Sequence, residues 1–262
     1  MRNAYNCLSL LQKSRLAPAG RSLFSRLAGG SPSSWHRNAL YIDFLRSLRL
    51  FAAVALLAFA AAGRTFAETK AIQCANLIYG GRHTSRCFSD EFLSAVQRDT
   101  TVATERRFKS VKLDSDELFQ YPFVLITGEE EFMFSARERE NLKRYLGNGG
   151  FLLASAGCSS KAWDRAFRRE MKTIFGEKAL EKIGMDHPVF RTVNDVKDIK
   201  LTHPGEPGKL EGMTFNGKLV VVYSPHGLND TSHTEGCCCC GGNEIANSLE
   251  LNVNIFVYAL CH

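Results

Sequence analysis

What this sequence has little of narrows it first. Beyond residue 67 it has no excess of positive charge: residues 1–67 carry nine Lys/Arg and a single acid, Asp43, while the rest carries 24 Lys/Arg against 26 Asp/Glu. The formal net charge of +6 therefore resides in the leader. The remainder has no net electrostatic pull on nucleic acid or anionic lipid, so a nucleic-acid partner is excluded on balance. An apolar run long enough to cross a bilayer comfortably is also missing. "FAAVALLAFAAAG" (51–63) falls short of the ~20 residues that a spanning helix needs. Internal repeats and coiled-coil heptads are absent, which leaves an ordinary globular chain. No methionine lies between Met1 and Met133.

What is present at the start reads as an export signal. Arg46 and Arg49 flank "SLRL", the apolar run follows, and "RTFAE" supplies Thr65 and Ala67 as small residues before a cut ahead of Glu68. We expect residues 1–67 to be a leader and 68–262 to be one folded domain, periplasmic or extracellular. The alternative is a membrane anchor through an uncleaved N-terminal segment. The first 40 or so residues, rich in Arg and Ser, have the composition of a transit peptide or of a start placed too far upstream. Eight of the nine cysteines follow the leader, and in an exported protein they are free to form disulfides. The partners implied are other exported or membrane proteins.

The rest alternates between two periodicities. "CANLIYGG", "SVKL", "YPFVLITG" and "GFLLASAG" are short apolar runs ending at glycines or turns, the pattern of buried strands. Between them, "SDEFLSAVQRD" has Ser89 as its cap. "SARERENLKRYLGNGG" opens on a Ser135/Glu138 capping box. "KAWDRAFRREMKTIFG" places Trp163, Phe167, Met171 and Ile174 on one stripe. Such alternation predicts an α/β protein: a three-layer, open, mostly parallel sheet with helices on both faces. After a Pro- and Asp-rich stretch, in which Asp186 is expected to accept backbone N–H bonds, Asn216-Gly217 predicts a late β-hairpin. A cysteine-rich loop follows, then a last helix read over 243–260 from apolar residues between Ile245 and Leu260.

Taken in order, "YPFVLITG", "FSARERENLKRYLGNGGFLLAS", "WDRAFRREM", "DHPVF", "LEGMTFNGKLVVVYSPHGL" and "LNVNIFVYAL" resemble the bacterial domain of unknown function 4159 family, from about Leu77 to the C-terminus. The resemblance implies a class I glutamine-amidotransferase-like, flavodoxin-type fold and an exported or membrane-anchored setting, and it supplies no reaction. Where family members often carry a His after "LITG", this chain has Glu129-Glu130-Glu131.

Open parallel sheets bind ligands at the carboxyl ends of their strands. The residues read there are Gly80, Gly81, Arg82 and His83; Gly128 and Glu129; Gly157, Cys158 and Ser159; and Ser224 and His226. A strand, a tight turn at Gly157 and a helix give Cys158 the setting of a nucleophile elbow, and His226 could act as its base. A cysteine-dependent hydrolase or amidase is thus one reading. Against it, Ser160 stands where amidotransferases have a second glycine, and Leu228 stands where their His is followed by Glu. "HTEGCCCCGG" offers a second chemistry. Adjacent side chains diverge, so only Cys237 and Cys240 have the spacing for zinc, with His233 and His226 to complete the set. A disulfide, either within this run or from it to Cys74, Cys87 or Cys261, is the other use of its thiols. With no second Cys-x-x-Cys and an incomplete elbow, the reading favoured is a non-catalytic binding or assembly module.

Overall fold

The computed structural model describes residues 71–205, 207–230 and 243–262. The leader and the cysteine run at 237–240 lie outside the described residues. The elements are β1 (Ala75–Tyr79), β2 (His83–Thr84), α1 (Glu91–Asp99), β3 (Lys109–Lys112), β4 (Phe123–Gly128), α2 (Ala136–Gly147), β5 (Phe151–Ala156), α3 (Lys161–Phe175), β6 (Glu181–Lys182), β7 (Glu211–Phe215), β8 (Lys218–Ser224) and α4 (Ser248–Cys261). All eight strands join one sheet. Five of them, β3-β1-β4-β5-β8 across the sheet, are parallel, and β7 and then β6 continue it antiparallel. Numbered in chain order, the parallel strands run 2-1-3-4-5. The order reverses between β1 and β4, which makes the carboxyl end of that pair the crevice of the sheet.

The expected alternation produces two cores. On one face Phe123 and Leu125 of β4 and Leu153 of β5 pack against Phe92 and Val96 of α1 and Phe256 of α4. On the other face Val124 and Ile126 of β4 and Leu152 of β5 pack against Leu142 and Tyr145 of α2 and Trp163 and Phe167 of α3. Successive residues of a strand point to opposite faces, so a strand covered on both sides must be apolar throughout. β5 is buried at all six positions.

The local signals act as their chemistry requires. The Ser135 hydroxyl accepts from Glu138 N (3.1 Å), and the Glu138 carboxylate accepts from Ser135 N (2.7 Å), closing the box. The second oxygen of Glu138 accepts from Gly80 N (2.8 Å), so the cap of α2 also holds the turn after β1. Asn216 and Gly217 have φ of 50° and 76°, the doubly left-handed pair of a type I′ turn.

Several boundaries differ from expectation. α1 starts at Glu91 with Asp90 at its cap, and Ser89 instead accepts from Glu91 N (3.1 Å). The last helix starts at Ser248, because residues ahead of it are used in bridges: Ile245 N donates to Gly227 O and Thr202 N to Glu244 O, both at 2.8 Å. In "DHPVF" the cap is His187, whose Nδ1 accepts from Val189 N (3.1 Å), and not Asp186. The two-residue strands β2 and β6 are too short to leave a periodic signal. No helix among the described residues is long and apolar enough to cross a membrane.

Two predictions follow from packing and capping. Phe256 is fully buried, edge-on to Phe123 at 5.1 Å and to Phe92 at 6.0 Å. Phe256→Ala is expected to lower unfolding stability by about 3–5 kcal/mol, and Phe215→Ala at the hairpin tip by under about 1 kcal/mol, both read from urea denaturation. His187 touches Tyr258, which stacks on His262. Burial, only partly offset by Asp186 and reinforced by His262, holds its imidazole below the ordinary value. The unfolded chain then takes up this proton first as pH falls, near 6.5. His187's contribution is therefore complete above that value and shrinks on acidification. Denaturation between pH 7.5 and 5 should show a shallower acid loss for His187→Gln than for the native chain.

Candidate functional site

Four strand ends meet at the carboxyl edge, and what fills the space between them is polar and almost entirely buried. Asn229, 1% exposed, sits at the centre. Its Oδ1 accepts from the Ser155 hydroxyl (2.7 Å). Its Nδ2 donates to the Thr127 hydroxyl (3.1 Å) and to the Cys87 carbonyl. Its own carbonyl accepts from Ser89 N (2.8 Å). Thr127 in turn donates to Ser155 O (2.7 Å), and Ser155 Oγ accepts from Leu228 N (2.8 Å). The Ser85 hydroxyl donates to Leu77 O (2.9 Å) and accepts from Thr127 N (3.1 Å). These bonds link the ends of β1, β4 and β5 and the loop after β8, with donors and acceptors matched as buried polar groups require. Sequence reading missed Asn229, Ser155 and Thr127, because small polar residues inside apolar strands and loops carry no motif.

The expected site residues surround this plug. Gly80 and Gly81 adopt φ of 54° and 82° in the β1–β2 turn. Arg82 is exposed, and His83 lies 3.9 Å from the Glu130 carboxylate. Gly128 is a close-approach position: a Cβ there would run into the Tyr79 hydroxyl and the Trp163 indole. Those two groups are themselves joined, Trp163 Nε1 donating to Tyr79 OH (2.7 Å) and Tyr79 OH to Thr127 O (2.9 Å). Ser224 is fully buried, its hydroxyl accepting from His226 N (3.2 Å), so it shapes the loop after β8. Ser159 donates to Asn243 O.

Cys158 follows β5 as expected, and its φ of 50° and ψ of 30° put a non-glycine residue in the left-handed region. Ser159 follows at φ 54°. The sulfur lies 3.4 Å from Glu129 Oε1. A carboxylate there opposes a second negative charge on the sulfur, the reverse of the electropositive setting that activates thiols. Ser160 caps α3 by accepting from Trp163 N (3.3 Å), which gives the residue in the second glycine's place a structural task. His226 lies at the end of the neighbouring strand, β8. The metal set His233, Cys237 and Cys240 lies outside the described residues. Of the other cysteines, Cys87 and Cys261 are disulfide-bonded. Cys74 is a fully buried thiol that burial pushes far up.

Residues 73–260 match the family model described as a domain of unknown function, DUF4159. The chain belongs to that family. Among curated proteins nothing matches it.

In this DUF4159 domain the stretches that carry the family resemblance are largely occupied by structural contacts. In "WDRAFRREM", Arg168 makes a two-pronged pair with Glu211 (2.6 and 3.0 Å) and bonds Asp164 (2.8 Å). Burial alone would raise the Glu211 carboxyl, but the bonds and charge of Arg168, with Lys209, outweigh it and hold it below its ordinary value. Glu170, 1% exposed, is held by Arg139 (2.8 and 3.2 Å). Arg169 pairs with Glu131 (2.8 Å), so the third acid after β4 is neutralised and only Glu129 and Glu130 face the edge. In "LNVNIFVYAL", Asn252 donates to Leu228 O (2.9 Å). Asn254 accepts from Val193 N and Asn194 N (3.0 and 2.7 Å), tying α4 to the loops on either side.

Asn229→Ala removes two donors and an acceptor from a site where water has little access. It should lower unfolding stability by on the order of 3 kcal/mol, measured in urea, with Asn229→Asp no better because a carboxylate cannot donate.

Proposed function

We propose that this chain is an exported α/β module that binds a partner without catalysing a reaction, on a doubly wound fold of the flavodoxin-like, class I amidotransferase-like kind. The observation that carries this reading is the buried hydrogen-bond network at the carboxyl edge. Thr127, Ser155 and Asn229 bond to one another and to loop backbone at the strand ends where an open sheet ordinarily receives its ligand. The 2-1-3-4-5 order of the parallel strands supports the fold likeness. Disulfide bonds at Cys87 and Cys261 support an oxidising compartment, in keeping with the leader read in residues 1–67. The partner would meet the rim above the plug, where Arg82, Glu130 and Met133 are exposed, Met133 to 65%.

A second reading has one observation in its favour. The positive φ of Cys158 between β5 and α3 is the backbone of an exposed-nucleophile turn. A hydrolase or amidase would attack through Cys158 with His226 as base.

Alkylation separates the two. With iodoacetamide at pH 7 and intact-mass detection, the binding-module reading expects Cys158 to react no faster than free cysteine and Glu129→Gln to speed it. Cys74 should stay protected until denaturation, and Cys87 and Cys261 until a reductant is added. A Cys158 that outruns free cysteine tenfold or more overturns the binding-module reading in favour of the enzyme.

A further inference from the structure

We propose that the opposite edge of the sheet, at the amino ends of the strands, is a docking surface for an anionic lipid bilayer. Two adjoining grooves open there, of about 270 and 210 Å³, sharing the backbone of Asn148, Gly149 and Gly150. Phe215 and Lys218, at the tip of the β7–β8 hairpin, form one wall, and Phe215 is 40% exposed. On the far side the Arg144 guanidinium lies 4.9 Å over the ring of Phe119, which lines the second groove. Among the described residues, no acidic side chain lines either groove. The slight negative balance of residues 68–262 is a sum over the whole domain, and exposed Lys143, Arg144 and Lys218 all stand at the amino edge.

Three observations favour a bilayer over another polyanion. An exposed aromatic at a hairpin tip beside a lysine combines an apolar wedge with a cation that meets headgroups, the two parts of an interfacial anchor. The disulfides at Cys87 and Cys261 belong to a compartment where nucleic acid is not the ordinary polyanion. The described chain also enters the fold on this same edge, Ile72 pairing with Thr104 just ahead of β1 and β3. A surface facing the bilayer here would put the candidate site on the far side of the domain, open to a partner. The proposal concerns a different surface from that site and stands or falls without it.

The test is co-sedimentation of the full chain with phosphatidylcholine vesicles and with vesicles containing phosphatidylglycerol. The basic leader is common to every variant and adds the same background to each, which is subtracted before the ratios are taken. The double variant Arg144→Glu with Lys218→Glu should weaken binding to anionic vesicles about tenfold or more, since each cation near such a surface contributes roughly fivefold. Phe215→Ala should weaken binding to both vesicle types. Lys161→Glu with Arg165→Glu, at the carboxyl edge, should bind as the native chain does, and matching urea midpoints confirm that all variants are folded. Native-level binding by the amino-edge variant, or an equal loss in the carboxyl-edge variant, overturns the proposal. So does a loss confined to a soluble polyanion such as heparin, which would assign the patch to an acidic macromolecule.

Discussion

One amide holds the carboxyl edge together. Each polar atom of the Asn229 side chain bonds a group at the strand ends or in the loop before α1, and its backbone carbonyl anchors the approach to α1. A parallel sheet leaves the last peptide groups of its central strands facing the loops that cross above them. Most proteins of this architecture leave a crevice there and let a ligand complete the bonding. Here Thr127 and Ser155 are side chains of the strands themselves, and Asn229 comes from the loop after β8, so the chain completes the bonding internally. The cost of leaving any of these groups unpaired in a dry interior makes the arrangement cooperative. The helix caps, the β1 turn and the loop after β8 are then set in place around it.

That constraint also accounts for the backbone at Cys158. A left-handed conformation at a non-glycine residue costs on the order of 1–3 kcal/mol and persists only where the surroundings impose it. The surroundings of Cys158 do so through structure: Ser159 is bonded to Asn243, Ser160 caps α3, and Gly157 fits against Gly128 O and the Asn229 amide. Strain at a turn of this shape is compatible with a nucleophile but is already accounted for by the need to start α3 directly beneath the plug. The Glu129 carboxylate beside the sulfur has the wrong sign for a thiolate.

Elements with strong local causes were legible in the sequence. The two-faced strands, the Ser135/Glu138 box, the Asn216-Gly217 hairpin and the Trp163–Met171 stripe each follow from neighbours within a few residues. What was not legible depends on contacts far apart in the chain. Asn229 meets Thr127 and Ser155 across 102 and 74 positions, and nothing local marks a loop asparagine as the centre of a network. His187 displaced Asp186 as a cap because Pro188 follows it and fixes the first turn. The last helix began late because a bridge to Gly227 claimed its expected first turn. The residues named from sequence at the strand ends fall at or just after the ends of β1, β4, β5 and β8. Their roles differ, since the fold turns Gly128 and Ser224 inward and leaves Arg82 and His83 at the rim.

Charge shows the same lesson in another form. A near-neutral count over residues 68–262 is a sum over the whole domain and does not give the charge at one edge of a doubly wound fold. Its helices return antiparallel to its strands, so every helix C-terminus lies at the amino edge, where basic side chains complement the dipole. Arg98, Arg144 and Lys172 occupy such last turns. Dipole complementarity accounts for those three, two of which also pair with nearby acids, Asp99 and Glu177. It does not account for Lys218, which stands on a hairpin, or for Phe215 beside it, which is 40% exposed. Among the described residues, the amino edge thus joins exposed cations to an exposed aromatic, a combination that dipole complementarity alone does not explain.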